Sequence, residues 1–271
     1  MQAITQTAPV FTEPWWDTLL EDTNYLTEAT VIKNSVPKDF FQEKDLHYVL
    51  RQVPQKLNFL QGGLRVYVEG RQAIKEMSEI YRSTLQVGET LQEFTQRIFG
   101  NEKYGIVLNQ ATNYHLDLGK KLAPLYQGFT NKLGVNGIEL NSTLFIGNYG
   151  YTPFGVHYDG PGLSVIHFHL GPGSKTMTLW EQDTFKEQTG SDLHYAYPEK
   201  ISNYGTDYVI EANDTFYLPE GPFHIGNTPD FSIALTVAIK GISVKDWLTS
   251  ALAEMNTNSF NPEVLAGYET D

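Results

Sequence analysis

The 271-residue chain contains no cysteine. That removes disulfides, thiolate metal ligands and cysteine nucleophiles together, so any metal would have to be held by histidine and carboxylate alone. No apolar run approaches the length of a membrane span. The first residues, Met1 to Glu13, lack the basic and then apolar order of a secretion signal, and we expect a cytoplasmic protein with no membrane partner. Basic residues are scarce: 19 Lys and Arg stand against 32 Asp and Glu, a net charge of −13. Nucleic-acid binding rests on Lys and Arg neutralising phosphates, so this balance excludes a nucleic acid as the main partner. A cationic peptide or an amine would be steered favourably by such a surface, although acidity for solubility alone explains it as well. Repeats and low-complexity linkers are also missing. What is present, 41% hydrophobic and 13% aromatic residues, is the composition of a globular chain long enough to bury a full core.

Residues 1–135 read as mixed but mainly helical. Pro14-Trp-Trp16 supplies a large apolar anchor. Gly63-Leu-Arg-Val-Tyr-Val68 alternates as a strand does, and Tyr104 to Leu108 reads as a second strand. Ala73, Ile74, Met77, Ile80 and Tyr81 form a helical stripe. Thr90-Leu-Gln-Glu93 is a capping box opening a helix with Leu91, Phe94 and Ile98 on one face. Leu118, Leu122, Leu125, Phe129 and Leu133 make a further stripe, with Pro124 marking a kink or a late start. Strands then dominate residues 136–242: Leu144 to Gly147, Val156 to Asp159, Leu163 to Leu170, Thr176 to Trp180, Asp214 to Pro219 and Phe231 to Ile239. Ser243-Val-Lys-Asp246 can cap a last helix within 243–271, presenting Val244, Trp247, Leu248, Ala251, Leu252 and Met255. That face either packs back on the body or forms a homodimer.

Two short motifs carry the chemistry. In a strand, side chains two apart point the same way, so His157 and Asp159 of His157-Tyr-Asp159 can reach one point. His224, in Pro219-Glu-Gly-Pro-Phe-His224, can supply a second imidazole. Two histidines and one carboxylate on one face of a metal leave open positions on Fe(II) for a co-substrate and O2. Taken singly, each is ordinary. His157 also reads as a half-buried histidine satisfied by Asp159, and His224 as a turn residue ahead of a strand.

The flanking residues add specificity. The segment Leu144-Phe-Ile-Gly-Asn-Tyr-Gly-Tyr-Thr-Pro-Phe-Gly-Val-His157-Tyr-Asp159 resembles the metal-site strand of the JmjC-type 2-oxoglutarate oxygenases, above all the asparaginyl hydroxylases that inhibit hypoxia-inducible factor. Gly173-Ser-Lys175 with Thr176 to Trp180, and Tyr217-Leu-Pro219 followed by His224, resemble further motifs of that family. The likeness runs from about Ile138 to Gly241. It implies a double-stranded β-helix, or cupin-like jelly roll, for that span; with the helical N-terminal region and C-terminal helix read from the residue pattern, the chain is expected to be α+β with a mainly β core. It further implies His157, Asp159 and His224 as iron ligands and 2-oxoglutarate as co-substrate.

The co-substrate site departs from the family. The distal carboxylate of 2-oxoglutarate needs a buried cation or a set of donors, usually a Lys or Arg on the strand after the HxD motif. Here that strand is Leu163-Ser-Val-Ile-His-Phe-His-Leu170, and no arginine follows Arg97. Leu163 and Ala238 stand near the places where the asparaginyl hydroxylases have asparagines. The candidates left are His167 and His169, which share a face, Lys175 at the end of the next turn, and the hydroxyls of Tyr149, Tyr151 and Thr152. Each also has a plainer reading, as a sheet-face residue or a solvated turn lysine. Gln182 to Tyr208 is a polar stretch without clear periodicity, suited equally to a lid over a barrel mouth and to a surface excursion.

These readings lead to an Fe(II)/2-oxoglutarate-dependent oxygenase that hydroxylates an unactivated C–H bond of an amino-acid, peptide or protein side chain. The carboxylate of Asp159 argues against a halogenase. Two other classes remain: a cupin-type metalloenzyme without 2-oxoglutarate, favoured if no basic group faces the metal, and a non-catalytic binding jelly roll.

Overall fold

A computed structural model describes residues 10–241, apart from 39, 57–62, 84, 85, 87 and 135–137. The expected C-terminal helix lies outside the described residues. In chain order, the first half forms α1 (Glu13–Asp22), β1 (Thr30–Ile32), α2 (Glu43–Lys56), β2 (Leu64–Val68), β3 (Arg71–Gln72), α3 (Ile74–Arg82), α4 (Leu91–Phe99), β4 (Tyr104–Asn109) and α5 (Leu116–Leu133). The second half forms β5 (Ile138–Gly147), β6 (Gly150–Tyr151), β7 (Val156–His157), β8 (Leu163–Pro172), β9 (Lys175–Trp180), α6 (Gln182–Thr189), β10 (His194–Tyr195), β11 (Thr206–Ile210), β12 (Thr215–Leu218), β13 (Phe223–Thr228) and β14 (Ser232–Gly241).

Local chemistry accounts for these elements. Thr90 caps α4 as the sequence predicts: its hydroxyl accepts from the Glu93 amide while the Glu93 carboxylate accepts from the Thr90 amide. Helix α5 begins before Pro124 and runs through it, so the proline marks no late start.

The strands form two antiparallel sheets. The larger has the order β1-β12-β8-β14-β5-β4-β2-β3, and the smaller β10-β7-β13-β9-β11, with β6 pairing β13. Strands from the first 110 residues therefore extend the larger sheet at both edges; the N-terminal region is more than a helical cover.

Alternation then assigns the faces. On β5 and β14, Leu144, Ile146, Leu235 and Val237 are fully buried against a core that includes Leu118, Leu122 and Phe129 of α5 and Trp16 of α1. The intervening residues Thr143, Phe145, Thr236 and Ala238 line a cavity on the other face. The smaller sheet repeats the pattern, with Phe223 and Ile225 packed on Phe185 of α6 and His224 and Gly226 turned to the cavity. Period-two patterning thus leaves a chamber between two apolar layers, its own walls apolar but set with polar and ionisable side chains. Among the described residues, no helix is long and apolar enough to cross a membrane.

Candidate metal and co-substrate site

The cavity between the sheets has a volume of about 460 Å³. At its mouth, His157, Asp159 and His224 bring one donor atom each to within 4.8 Å of one another. The backbone sets this up. His157 pairs directly with His224 across β7 and β13, which puts both rings on one face with centroids 4.5 Å apart. Strand β7 ends at His157, so Asp159 reaches the site from the turn beyond it. The preceding Gly155 has φ +74°, and a Cβ there would meet the Tyr195 carbonyl at 2.8 Å; only glycine fits this approach.

The ring orientations decide which nitrogens are free. His157 Nδ1 donates to the Gly155 carbonyl at 3.0 Å, and His224 Nδ1 faces the Pro222 carbonyl at 3.4 Å. Each backbone oxygen fixes the proton on Nδ1 and leaves the Nε2 lone pair pointing inward. Those nitrogens lie 3.4 Å and 3.7 Å from the two oxygens of Asp159. Two imidazoles and a carboxylate converging on one point fit a divalent metal of the kind bound by those groups, which would take the place of the proton shared by His157 and Asp159.

The electrostatics differ among the three groups, and a metal would displace a proton from His157. Burial pulls the His224 pKa down to about 4, with the charge of His157 acting the same way. For His157, burial is outweighed by the hydrogen bond to Asp159 and by the Gly155 carbonyl, and its pKa is raised. Burial raises the Asp159 carboxyl less than its histidine neighbours lower it. The neutral His224 and ionised Asp159 that metal binding requires are thus the favoured forms near neutral pH.

Deeper in, Lys175 is 5% exposed and lines the cavity. Its ammonium donates to the Tyr149 hydroxyl at 3.3 Å and lies 5.1 Å from the centre of the Phe145 ring. Among the described residues it makes no ion pair. A buried cation without a carboxylate partner fits an anion in the cavity. His167 lines the same chamber, with Nε2 buried and unbonded. Burial and the Lys175 charge hold this imidazole well below its ordinary pKa, so it is neutral. Thr152 also lines the cavity, and its hydroxyl donates to the Gly226 carbonyl at 2.9 Å.

Two expected contacts are not brought into the cavity. His169 shares a face with His167, yet its Nε2 donates to the Gly173 carbonyl at 2.6 Å, closing the β8–β9 turn, and it does not line the chamber. Tyr151 sits on β6 opposite Asn227 and is 37% exposed. The stretch from Gln182 to Tyr208 is folded rather than loose: α6 buries Phe185 against Phe223, and β10 pairs with β7. Among the described residues none of this stretch lines the cavity, although its β10 pairs with β7 at His157.

The sequence reading missed a group in the cavity wall, one aromatic ring from the triad. Arg65 of β2 and Asn109 of β4 line it, with Arg65 Nη2 donating to Asn109 Oδ1 at 3.3 Å. The alternation of Leu64-Arg-Val-Tyr-Val68, which turns Arg65 away from the buried Leu64 and Val66, was the available signal.

Comparisons with known proteins place this architecture. A family profile described as the JmjC domain matches residues 130–247. No curated protein matches the sequence. Among solved structures, the ribosomal oxygenase YcfD from Escherichia coli aligns with a TM-score of 0.51 at 14% identity, over 94% of this chain and 58% of that one. The same protein in complex with cobalt and 2-oxoglutarate aligns with a TM-score of 0.52, also at 14% identity and over 94% and 58% of the two chains. The chain spans less than two thirds of the length of these structures. The chain therefore shares its fold with these structures, and the JmjC match spans the segments that carry His157, Asp159 and His224.

Proposed function

We propose that this protein is an Fe(II)/2-oxoglutarate-dependent oxygenase that hydroxylates an unactivated C–H bond of an amino-acid, peptide or protein side chain. The two facing sheets are read as a double-stranded β-helix, with His157, Asp159 and His224 as the iron ligands. The observation that carries this reading is the buried Lys175 ammonium, which faces the same cavity as the triad and has no counter-ion among the described residues.

Bound there, Fe(II) and 2-oxoglutarate supply O2 activation, with the co-substrate leaving as succinate and CO2. The chain's own residues do the positioning. The Gly155 and Pro222 carbonyls hold the two imidazoles by Nδ1, so that both Nε2 atoms stay available without a side-chain rearrangement. Asp159 brings the negative charge that favours a dication. Lys175, held by the Tyr149 hydroxyl, would pair with the distal carboxylate of 2-oxoglutarate, and the unbonded Nε2 of the neutral His167 would be free to bond it. The apolar walls, with Val165, Phe216 and Leu218, keep water from competing for that ammonium.

A cupin metalloenzyme without 2-oxoglutarate gained its appeal from a missing cation, and Lys175 supplies that cation. The likeness of Leu144 to Asp159 to the asparaginyl hydroxylases, and the ribosomal oxygenases among the structural neighbours, favour a peptide or protein substrate. The deciding experiment is an anaerobic titration of metal-free protein with Fe(II) and then 2-oxoglutarate, followed by visible absorption. A saturable charge-transfer band that is absent in His224→Ala and weakened in Lys175→Ala is the expected result. Tight Fe(II) binding without the band would overturn the 2-oxoglutarate assignment.

A further inference from the structure

We infer that Arg65 and Asn109 form a second anion site in this cavity, which binds a carboxylate of the substrate, so that the natural substrate is acidic. The inference rests on the oxygenase reading for the other occupants of the cavity.

Arg65 is half-buried, and its partner Asn109 stands at an exposed edge of the cavity. Its guanidinium lies 5.6 Å from the centre of the Phe154 ring, and Phe154 in turn packs edge-to-face on His157 with ring centroids 5.1 Å apart. One aromatic ring thus separates the arginine from the triad. Its Nε is buried and unbonded, and its one hydrogen bond goes to Asn109 Oδ1. Thr143 Oγ1 also donates to that oxygen, at 3.5 Å. With the Asn109 carbonyl taken up in this way, what the pair still offers is donors: the guanidinium N–H groups and the Asn109 amide. A planar fork of donors on a rigid strand suits a carboxylate.

Register fixes the group within a larger wall. Asn109 pairs with Thr143, Thr143 with Thr236, and Thr236 with His167, across β4, β5, β14 and β8. A row of polar side chains therefore crosses the chamber from Arg65 to the co-substrate end, and a substrate anchored at Arg65 would lie along it.

Formal charge gives the second argument. The cavity is lined by two cations, Arg65 and Lys175, and one carboxylate, Asp159. Fe(II) is balanced by Asp159 and the chelating carboxylate of 2-oxoglutarate, and Lys175 by the distal carboxylate. Arg65 is left over. The chain has 32 acidic residues, yet none among the described residues pairs with it. One further negative charge, brought by the substrate, completes the site, and a lysine or arginine side chain would be repelled from it.

The test uses the full chain loaded with Zn(II), a diamagnetic stand-in, with and without 2-oxoglutarate. Arg51, Arg65, Arg71, Arg82 and Arg97 are the only arginines, so their Nε–H resonances are few, and Arg65→Lys identifies the one in question. Acetate is expected to shift the Arg65 resonance saturably where equal chloride does not. Arg65→Gln should weaken acetate binding at least tenfold while leaving 2-oxoglutarate affinity within about twofold. N-acetyl-glutamate N′-methylamide and N-acetyl-alanine separate a side-chain from an α-carboxylate source, the tighter naming which. The inference is overturned if acetate acts no differently from chloride, or if N-acetyl-lysine N′-methylamide binds more tightly than both acids. It is equally overturned if Arg65→Gln abolishes 2-oxoglutarate binding, since Arg65 would then be the co-substrate clamp. Wild-type protein that binds acetate at Arg65 but no 2-oxoglutarate would sink the oxygenase reading instead.

Discussion

His157 and His224 stand directly opposite one another on β7 and β13. Their convergence is therefore a property of sheet register, and slipping either strand by one residue would turn its histidine to the α6 side. The same pairing brings both Nε2 atoms against Asp159, where a divalent cation would bind all three groups at once.

Metal binding should accordingly stabilise the fold. Fe(II) at 100 times its dissociation constant adds about 2.7 kcal/mol, a rise of roughly 5 °C or more in Tm for a chain of this size. Anaerobic calorimetry should show this rise, its reversal by a chelator, and its absence in Asp159→Ala. An equal rise in that variant would remove the aspartate from the ligand set.

Gly226→Ala should act on the co-substrate alone. A Cβ at that position would lie 2.6 Å from Lys175 Cε and 3.1 Å from its Nζ, so the ammonium has to move while the His224 backbone stays. The 2-oxoglutarate Kd is expected to rise about tenfold, or ~1.4 kcal/mol, with Fe(II) affinity unchanged. Loss of both affinities together would mean that β13 itself had shifted.

Phe185→Ala tests how α6 supports the site. The Phe185 ring stacks on Phe223 with centroids 3.7 Å apart, immediately before His224. Truncating a fully buried phenylalanine costs about 3–5 kcal/mol, measurable as a lower urea midpoint, and Phe185→Leu should recover much of it. A loss below about 1 kcal/mol would show that the helix is dispensable.

Asp214 should shape acid stability. Its side chain is 2% exposed and accepts from Lys33 Nζ and from the Asn34 and Glu211 amides, tying β1 to the β11–β12 turn. Burial raises its carboxyl, but the Lys33 hydrogen bond and the two amides outweigh it, so its pKa is lowered from 3.8. With the folded pKa below the unfolded one, its contribution is complete above about pH 4 and is lost as pH falls through the lowered folded value. Asp214→Asn should cost about 1–3 kcal/mol at pH 7 and flatten the stability profile below pH 4. An unchanged acid limb in the variant would assign that limb to other carboxylates.

Much of this fold was legible from local pattern. The Thr90 capping box, the alternation in β2 and the apolar run of β14 are short-range signals, and each element formed where they stood. The convergence of His157, Asp159 and His224 was legible for the same reason, although Asp159 lies beyond the end of β7 and the strand spacing that first paired it with His157 applies only in part. Polarity and spacing did not separate His167 from His169, because the difference lies in the partner: the Gly173 carbonyl captures one ring. Arg65 and Asn109 were illegible as site residues, since reaching the cavity depends on β4 pairing with β5, a contact between distant segments. Helix α6 carries one apolar anchor, Phe185, in eight residues, too few for a periodic stripe.

Strand β14 lies between β8 and β5, although it is the last strand in chain order among those described. During synthesis, the larger sheet therefore exists as two separate halves until residues 232–241 have left the ribosome. A chain cut short before them would expose the long inner edges of β5 and β8, ten residues each, to pairing with other chains. The order of strands thus makes the chamber a property of chains translated past β14, and a shorter product would gain an aggregation-prone edge rather than a weak activity.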